Sequence, residues 1–196
     1  MNAIEAILTR RSTRAYKPDP VELEKLKQVV EAGRYAPSGG NHQSNHFFVL
    51  RTPEVLRELA ALVESAFAGM EAEEDTYISL KRAILRSKQG GYVFHYHAPV
   101  LVVIANRKAY SNHLADTVTA AENMMIAANA LDLGSCYINQ LNWLNEDPTL
   151  LSFFQSMGLR EDERLYASVA LGYPDTEDGL PVRTPLERKG NEVCFI

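Results

Sequence analysis

Residues 112 to 132, NHLADTVTAAENMMIAANALD, most constrain what this chain can fold into, because helical spacing leaves them apolar on almost every face. Leu114, Val118, Ala121, Met125 and Ala128 form one stripe, and Ala120, Met124, Ala127 and Leu131 form another. A helix with two apolar faces cannot lie on a surface. A chain of 196 residues builds one modest core, which rarely surrounds a helix completely, so part of this helix is expected to meet a second subunit. Gly134 reads as its C-cap. Asn123 and Asn129 fall on the same buried helix and require hydrogen-bond partners that the sequence does not name.

Period and punctuation set the other elements. A short helix is expected over about residues 2 to 9 and a second over 20 to 35, with Pro20 in its first turn and Leu23, Leu26, Val29 and Val30 on one stripe. Pro37 ends it, since the residue before a proline is pushed out of the helical region. HFFVL at 46 to 50 reads as a strand, and 54 to 68 as an amphipathic helix burying Val55, Leu56, Leu59, Leu62 and Val63. A helix over 76 to 88 is broken by Gly90-Gly91. Pro99 then opens PVLVVIA, a continuous β-branched run suited to a strand buried on both faces. SCYI, a helix over 148 to 157 and the strand YASVALG at 166 to 172 follow. No repeat or linker divides the chain, so one domain over 1–196 is expected. Its last part, 182–196, has no period of its own yet ends in Val193, Phe195 and Ile196; it reads as an arm that packs on the core or across a partner.

Composition narrows the function. At 46% hydrophobic and 23% charged residues the chain is an ordinary globular protein. A net charge of -5 argues against a nucleic-acid partner, which needs a broad basic surface. Cys136 and Cys194 are far apart and in no metal-ligand spacing, the usage expected of free thiols in a reducing compartment. With neither a signal-like apolar region nor a membrane-length span, the cytoplasm is the expected location.

Two segments carry chemistry. RRSTRAY, at 10 to 16, gathers Arg10, Arg11, Ser12 and Arg14, three permanent cations and a hydroxyl able to converge on one dianion such as a phosphate. PSGGNHQ, at 37 to 43, sets Gly39 and Gly40 between Ser38 and Asn41, removing side-chain bulk so that backbone can approach a flat ligand. Taken singly, an arginine run is more often a solvated surface, and Pro-Ser-Gly-Gly more often a turn.

Together with LADTVTAAENMMIAANALDLGSCYI (114 to 138), LGYP (171 to 174) and VRTPLE (182 to 187), these segments resemble the nitroreductase family of FMN-dependent oxidoreductases in order, spacing and residue type. The resemblance covers nearly the whole chain and is thinnest between Thr52 and Tyr96. It implies an α+β fold with a central, mostly antiparallel sheet flanked by helices, and a long buried helix at a homodimer interface with FMN bound there. By the same resemblance Arg10, Ser12 and Arg14 hold the phosphate and ribityl end, Arg11 points elsewhere or assists, and Arg183 joins them from the C-terminal arm. Pro37, Ser38, Gly39 and Gly40 reach the flavin from one subunit, with Asn41 and Gln43 lining the neighbouring site or supporting the loop. Ser44-Asn45 stand where the family carries Pro-Trp or a similar pair, which makes the pocket wall more open or more polar. Ile138, Asn139 and Gln140 are the candidates to present a backbone N–H to flavin N5. The resemblance places no residue as the family's cation near O2, since Lys81, Arg82, Arg86 and Lys88 all lie in the poorly matched stretch. No catalytic side chain is implied. NADH or NADPH gives a hydride to the ring and leaves, and a small flat acceptor, nitroaromatic or quinone, takes the same place in a ping-pong cycle.

Specialised members of the superfamily, a reductive dehalogenase or a flavin-fragmenting synthase, and a non-enzymatic FMN-binding sensor or storage protein remain alternatives. His95 and His97 alternate on what reads as a strand, and His113 completes a possible metal set; without a cysteine or carboxylate at fixed spacing, packing or surface roles are favoured. Asp116 and Glu122 lie six residues apart and so on different faces of their helix, which favours structural roles over an acid/base pair.

Overall fold

The computed structural model describes all 196 residues, Met1–Ile196. Helix α1 (Ala3–Thr9) is capped by the Asn2 side chain, which accepts the Glu5 N–H at 2.9 Å. Helix α2 (Leu23–Arg34) is followed by one 3-10 turn at Gly39–Asn41, strand β1 (His46–Leu50) and helices α3 (Pro53–Ala68) and α4 (Ile78–Gln89). Strand β2 (Val100–Arg107), helix α5 (His113–Ala130) and strand β3 (Gly134–Ile138) form the centre. Short helices α6 (Gln140–Trp143) and α7 (Pro148–Gln155) precede strand β4 (Glu163–Gly172).

The four strands pair antiparallel in the order β1-β2-β4-β3. The period of two sorts β2 cleanly: Leu101, Val103 and Ala105 join a core with α3, α4 and α7, while Val100, Val102 and Ile104 join one with α2 and α5. A continuous apolar run is thus explained by burial on both faces. The result is the α+β architecture expected, with helices on each side of an antiparallel sheet.

Several expectations are corrected. Helix α2 starts at Leu23, not at Pro20, and Leu23 is exposed; the buried stripe is Leu26, Val29 and Gly33. On α3 the buried set is Leu56, Leu59, Ala60, Val63 and Phe67, with Val55 and Leu62 only partly covered. Helix α5 ends at Ala130, and the left-handed residue after it is Asp132 at φ 62°, whose short polar side chain tolerates that conformation. Gly134 is therefore no C-cap. It already lies in β3, where an added Cβ would meet three atoms of Thr13 at 2.6 to 2.9 Å, so its role is close approach. Residues 95 to 97 form a turn rather than a strand, with Tyr96 and His97 at φ 56° and 57°. His113 is elsewhere, stacked on Tyr166 at 4.2 Å.

Helix α5 runs along the sheet with Ala120, Ala121, Met124, Met125 and Ala128 buried. Leu114 and Val118 of the same helix remain exposed on this chain. The two amides find their partners: Asn123 donates to the Ala32 carbonyl at 3.1 Å, and Asn129 to the Ala6 carbonyl and Thr9 hydroxyl, each at 3.0 Å. No helix is long and apolar enough to cross a membrane.

Candidate functional site

The arginine segment is an extended strip laid along β3. Ser12 bridges Ser135 in parallel, and the Thr13 N–H donates to the Ser135 carbonyl at 2.9 Å. Extended backbone alternates its side chains. Arg11 and Thr13 therefore face inward: the Arg11 guanidinium donates to the Arg10 carbonyl at 2.6 Å and to the Thr184 carbonyl, and Thr13 packs on Gly134. Arg10, Ser12 and Arg14 take the opposite side. Ser12 and Arg14 both act on Cys136 of β3, where burial pushes the thiol pKa up against the lowering pull of that cation and hydroxyl.

Arg10 meets Glu122 at only 3.5 Å, which leaves most of its donors open. Arg14 extends over the Tyr96 ring, 5.9 Å from its centroid, and lines a cleft of about 400 Å3 with Arg86, Gly90, Gly91, Tyr92 and Tyr96. Gln140 reaches the same wall by donating to the Tyr92 hydroxyl at 2.8 Å. Of the three candidates at the end of β3, Ile138 sits in the strand ladder and Asn139 gives its N–H to the Gln140 side chain at 3.1 Å. The Gln140 N–H begins α6 with no acceptor in the chain.

The glycine loop lies elsewhere on α5. Gly39 donates its N–H to the Asp116 carboxylate at 3.1 Å, and the Tyr110 hydroxyl bridges the Gly39 carbonyl (3.0 Å) and Asp116 (2.9 Å). A Cβ on Gly39 would meet the Asn112 amide at 2.0 Å, so the glycine serves packing against the start of α5. Pro37 accepts from Thr119, the Ser38 hydroxyl accepts the Gln43 N–H at 3.0 Å, and Gln43 donates to Asn41 at 2.9 Å. Asn41 and Gln43 both hold positive φ, 57° and 49°. None of residues 37 to 43 lines the cleft beside Arg14. Asp116 anchors the loop and Glu122 meets Arg10; six helical residues separate them by roughly 9 Å and 120°, so α5 stands between the two segments of one chain.

Arg183 is held at the far end of α5, where it donates to the Asn129 carbonyl at 2.5 Å and to Asp132 at 2.6 Å. It touches α1's end through Asn129, which also binds Thr9.

The nitroreductase family model matches residues 7–173. The chain belongs to the nitroreductase family. A nitroreductase with bound FMN from Bacteroides fragilis is 33% identical and superposes with a TM-score of 0.83, over 100% of this chain and 97% of that one. A Thermus thermophilus protein named NADH dehydrogenase is 31% identical, covering 96% of this chain and 94% of its own length. A Bacillus subtilis FMN reductase (NADPH) is 30% identical over 99% of this chain and 74% of its own.

Within this nitroreductase-family chain, Arg183 and the tail beyond it lie outside the matched span. Of Lys81, Arg82, Arg86 and Lys88, Arg86 lines the cleft with Arg14. Tyr92 and Tyr96 carried no signal in the sequence, because their part in the cleft depends on the left-handed turn at Tyr96-His97 and on Gly90-Gly91 at φ 85° and 79°. Such backbone costs about 1 to 3 kcal/mol per non-glycine residue and gathers at functional sites.

Proposed function

We propose that the chain is an FMN-dependent oxidoreductase that uses NADH or NADPH to reduce nitroaromatic, quinone or similar flat acceptors. The observation that carries this reading is the outward row Arg10, Ser12, Arg14 beside a cleft that also holds Arg86, in a chain 33% identical to a protein that binds FMN. The donor set fits that cofactor. FMN's phosphate bears close to two negative charges, matched by Arg10 with its loosely held guanidinium and by the Ser12 hydroxyl. A volume of about 400 Å3 falls within the range of small-molecule sites. When bound, the flavin supplies the hydride-accepting and hydride-donating ring.

This chain's residues bind and orient it. Arg10, Ser12 and Arg14 take the phosphate and ribityl end, Arg86 puts positive charge along the cleft, and the Gln140 N–H offers a donor to the ring. Arg183, tied to Asp132 and Asn129, acts on the phosphate only by exchanging those partners. The glycine loop serves the site of a second copy, since α5 separates it from the cleft of its own chain and none of its residues lines that cleft. The working unit is thus a homodimer of one-domain chains, 1–196, in which 182–196 is an arm. Exposed Leu114 and Val118 on α5 support that reading. We place it in the cytoplasm, acting on small molecules.

Steady-state oxidation of NADH and NADPH with menadione as acceptor tests the activity. Turnover with parallel lines in double-reciprocal plots is expected; an FMN-loaded protein with no turnover on any quinone or nitroaromatic would leave only a binding role.

A further inference from the structure

Four residues of the segment at 90 to 97, Gly90, Gly91, Tyr96 and His97, hold positive φ. Backbone of that kind persists only where its surroundings hold it in place. Tyr92 supplies the attachment. Its N–H donates to the Glu64 carboxylate of α3 at 2.6 Å, and its hydroxyl accepts the Gln140 amide at 2.8 Å. Its ring meets the fully buried Phe67 edge-on, with centroids 6.3 Å apart. Burial pushes the Tyr92 pKa up against the lowering pull of the Gln140 amide, so the acceptor is a neutral hydroxyl. Tyr92 is thus fixed at its backbone, its ring and its tip.

Both ends of the Gln140 carboxamide are in use. Its Nε2 donates to Tyr92, and its Oε1 accepts the Asn139 N–H at 3.1 Å. A carboxamide is planar, so holding its nitrogen also aims its oxygen. Asn139 is held a second time, by the Tyr137 hydroxyl donating to its side-chain oxygen at 3.3 Å. Two neighbouring N–H groups therefore leave the end of β3 with different fates: that of Asn139 is taken by the clamp, and that of Gln140 has no acceptor in the chain. Cutting the Tyr92 link lets the Gln140 side chain turn and returns the Asn139 N–H to the cleft as a competing donor. We propose that Tyr92 is a positioning residue: through the Gln140 side chain it withdraws the Asn139 N–H and leaves the Gln140 N–H as the single donor to the flavin ring. The inference rests on the FMN reading proposed above.

Full-length protein loaded with 15N-enriched FMN tests this through a signature that turnover does not enter. Tyr92→Phe keeps the ring on Phe67 and deletes only the hydroxyl. It should move the N5 resonance of the bound flavin downfield, the direction a pyridine-type nitrogen takes on losing a hydrogen bond. In the flavin-free protein it should raise the hydrogen-exchange rate of the Asn139 amide about five-fold, the scale of one neutral hydrogen bond. Gln140→Ala keeps its own backbone N–H, loses the clamp and should produce the same two changes. The double variant should move N5 no further than Gln140→Ala alone, whereas a general effect of the ring on the fold would add. An N5 resonance or an Asn139 exchange rate unmoved by Tyr92→Phe, or additive shifts in the double variant, would overturn the positioning role. The two readings fail separately: a parent protein that takes up no FMN removes the FMN reading and this inference with it, whereas a parent that binds FMN and a Tyr92→Phe chain indistinguishable from it remove only this inference.

Discussion

Arg14 and Arg11 are three residues apart, carry the same charge and have opposite fates. Arg11 turns inward to carbonyls, and Arg14 turns outward over Tyr96 into the cleft. Composition could not separate them; the alternation of an extended strip does. Arg14→Ala should weaken FMN binding by about 1.5 to 3 kcal/mol, the usual cost of a charge-assisted hydrogen bond. Binding of riboflavin, which lacks only the phosphate, should change little, and titration of both flavins by fluorescence quenching decides it. Equal loss of both would assign Arg14 to the ring pocket or the fold. Arg11→Ala should leave flavin discrimination unchanged while loosening the arm at Thr184.

His95 makes a pH prediction. It is 5% exposed, and burial, with a smaller contribution from His97, pushes its pKa down to about 4. The unfolded chain regains an ordinary value near 6.5, so below that pH it binds a proton that the folded chain excludes, and acid favours unfolding. The penalty grows from pH 6.5 down to about 4 and reaches roughly 3 kcal/mol. Denaturant midpoints of His95→Gln should therefore fall less steeply than those of the parent across this window. Parallel profiles would show that the imidazole takes up its proton without opposing the fold.

At the scale of elements, the strands and long helices were legible because period, β-branching and proline punctuation agree there. Strand β2 is the clearest case, a run from Val100 whose alternate residues enter two different cores. What escaped was set by tertiary contact. Helix α6 has four residues, too few to show a period. Gly134 looked like a helix stop, yet its function is to let Thr13 and the whole arginine strip lie against β3. The residues we propose for the site's polar end were legible in RRSTR, while Tyr92 and Tyr96 were not, since a turn delivers them. Gly134→Ala should force Thr13 away at a cost of about 1 to 3 kcal/mol, as overpacking does, and lower FMN affinity with it. Adding Thr13→Ala, which removes two of the three clashing atoms, should restore part of both. A Gly134→Ala chain with parental melting and flavin affinity would mean that the strip's position does not govern the site.

At the scale of the whole molecule, family membership, the two-sided sheet and the row of outward cations all converge on one cofactor. The arginine strip and the glycine loop lie on different faces of α5, which is why the site we propose takes one segment from each of two copies. The chain's net charge of -5 makes the basic strip a local, ligand-sized feature rather than part of a polyanion surface. The most direct measurement is the absorption spectrum of the purified protein after incubation with FMN and desalting, with the released flavin identified by mass. The account predicts a yellow protein that retains FMN at one per chain and releases neither FAD nor riboflavin on denaturation. A folded, dimeric protein that emerges colourless from excess FMN would contradict it.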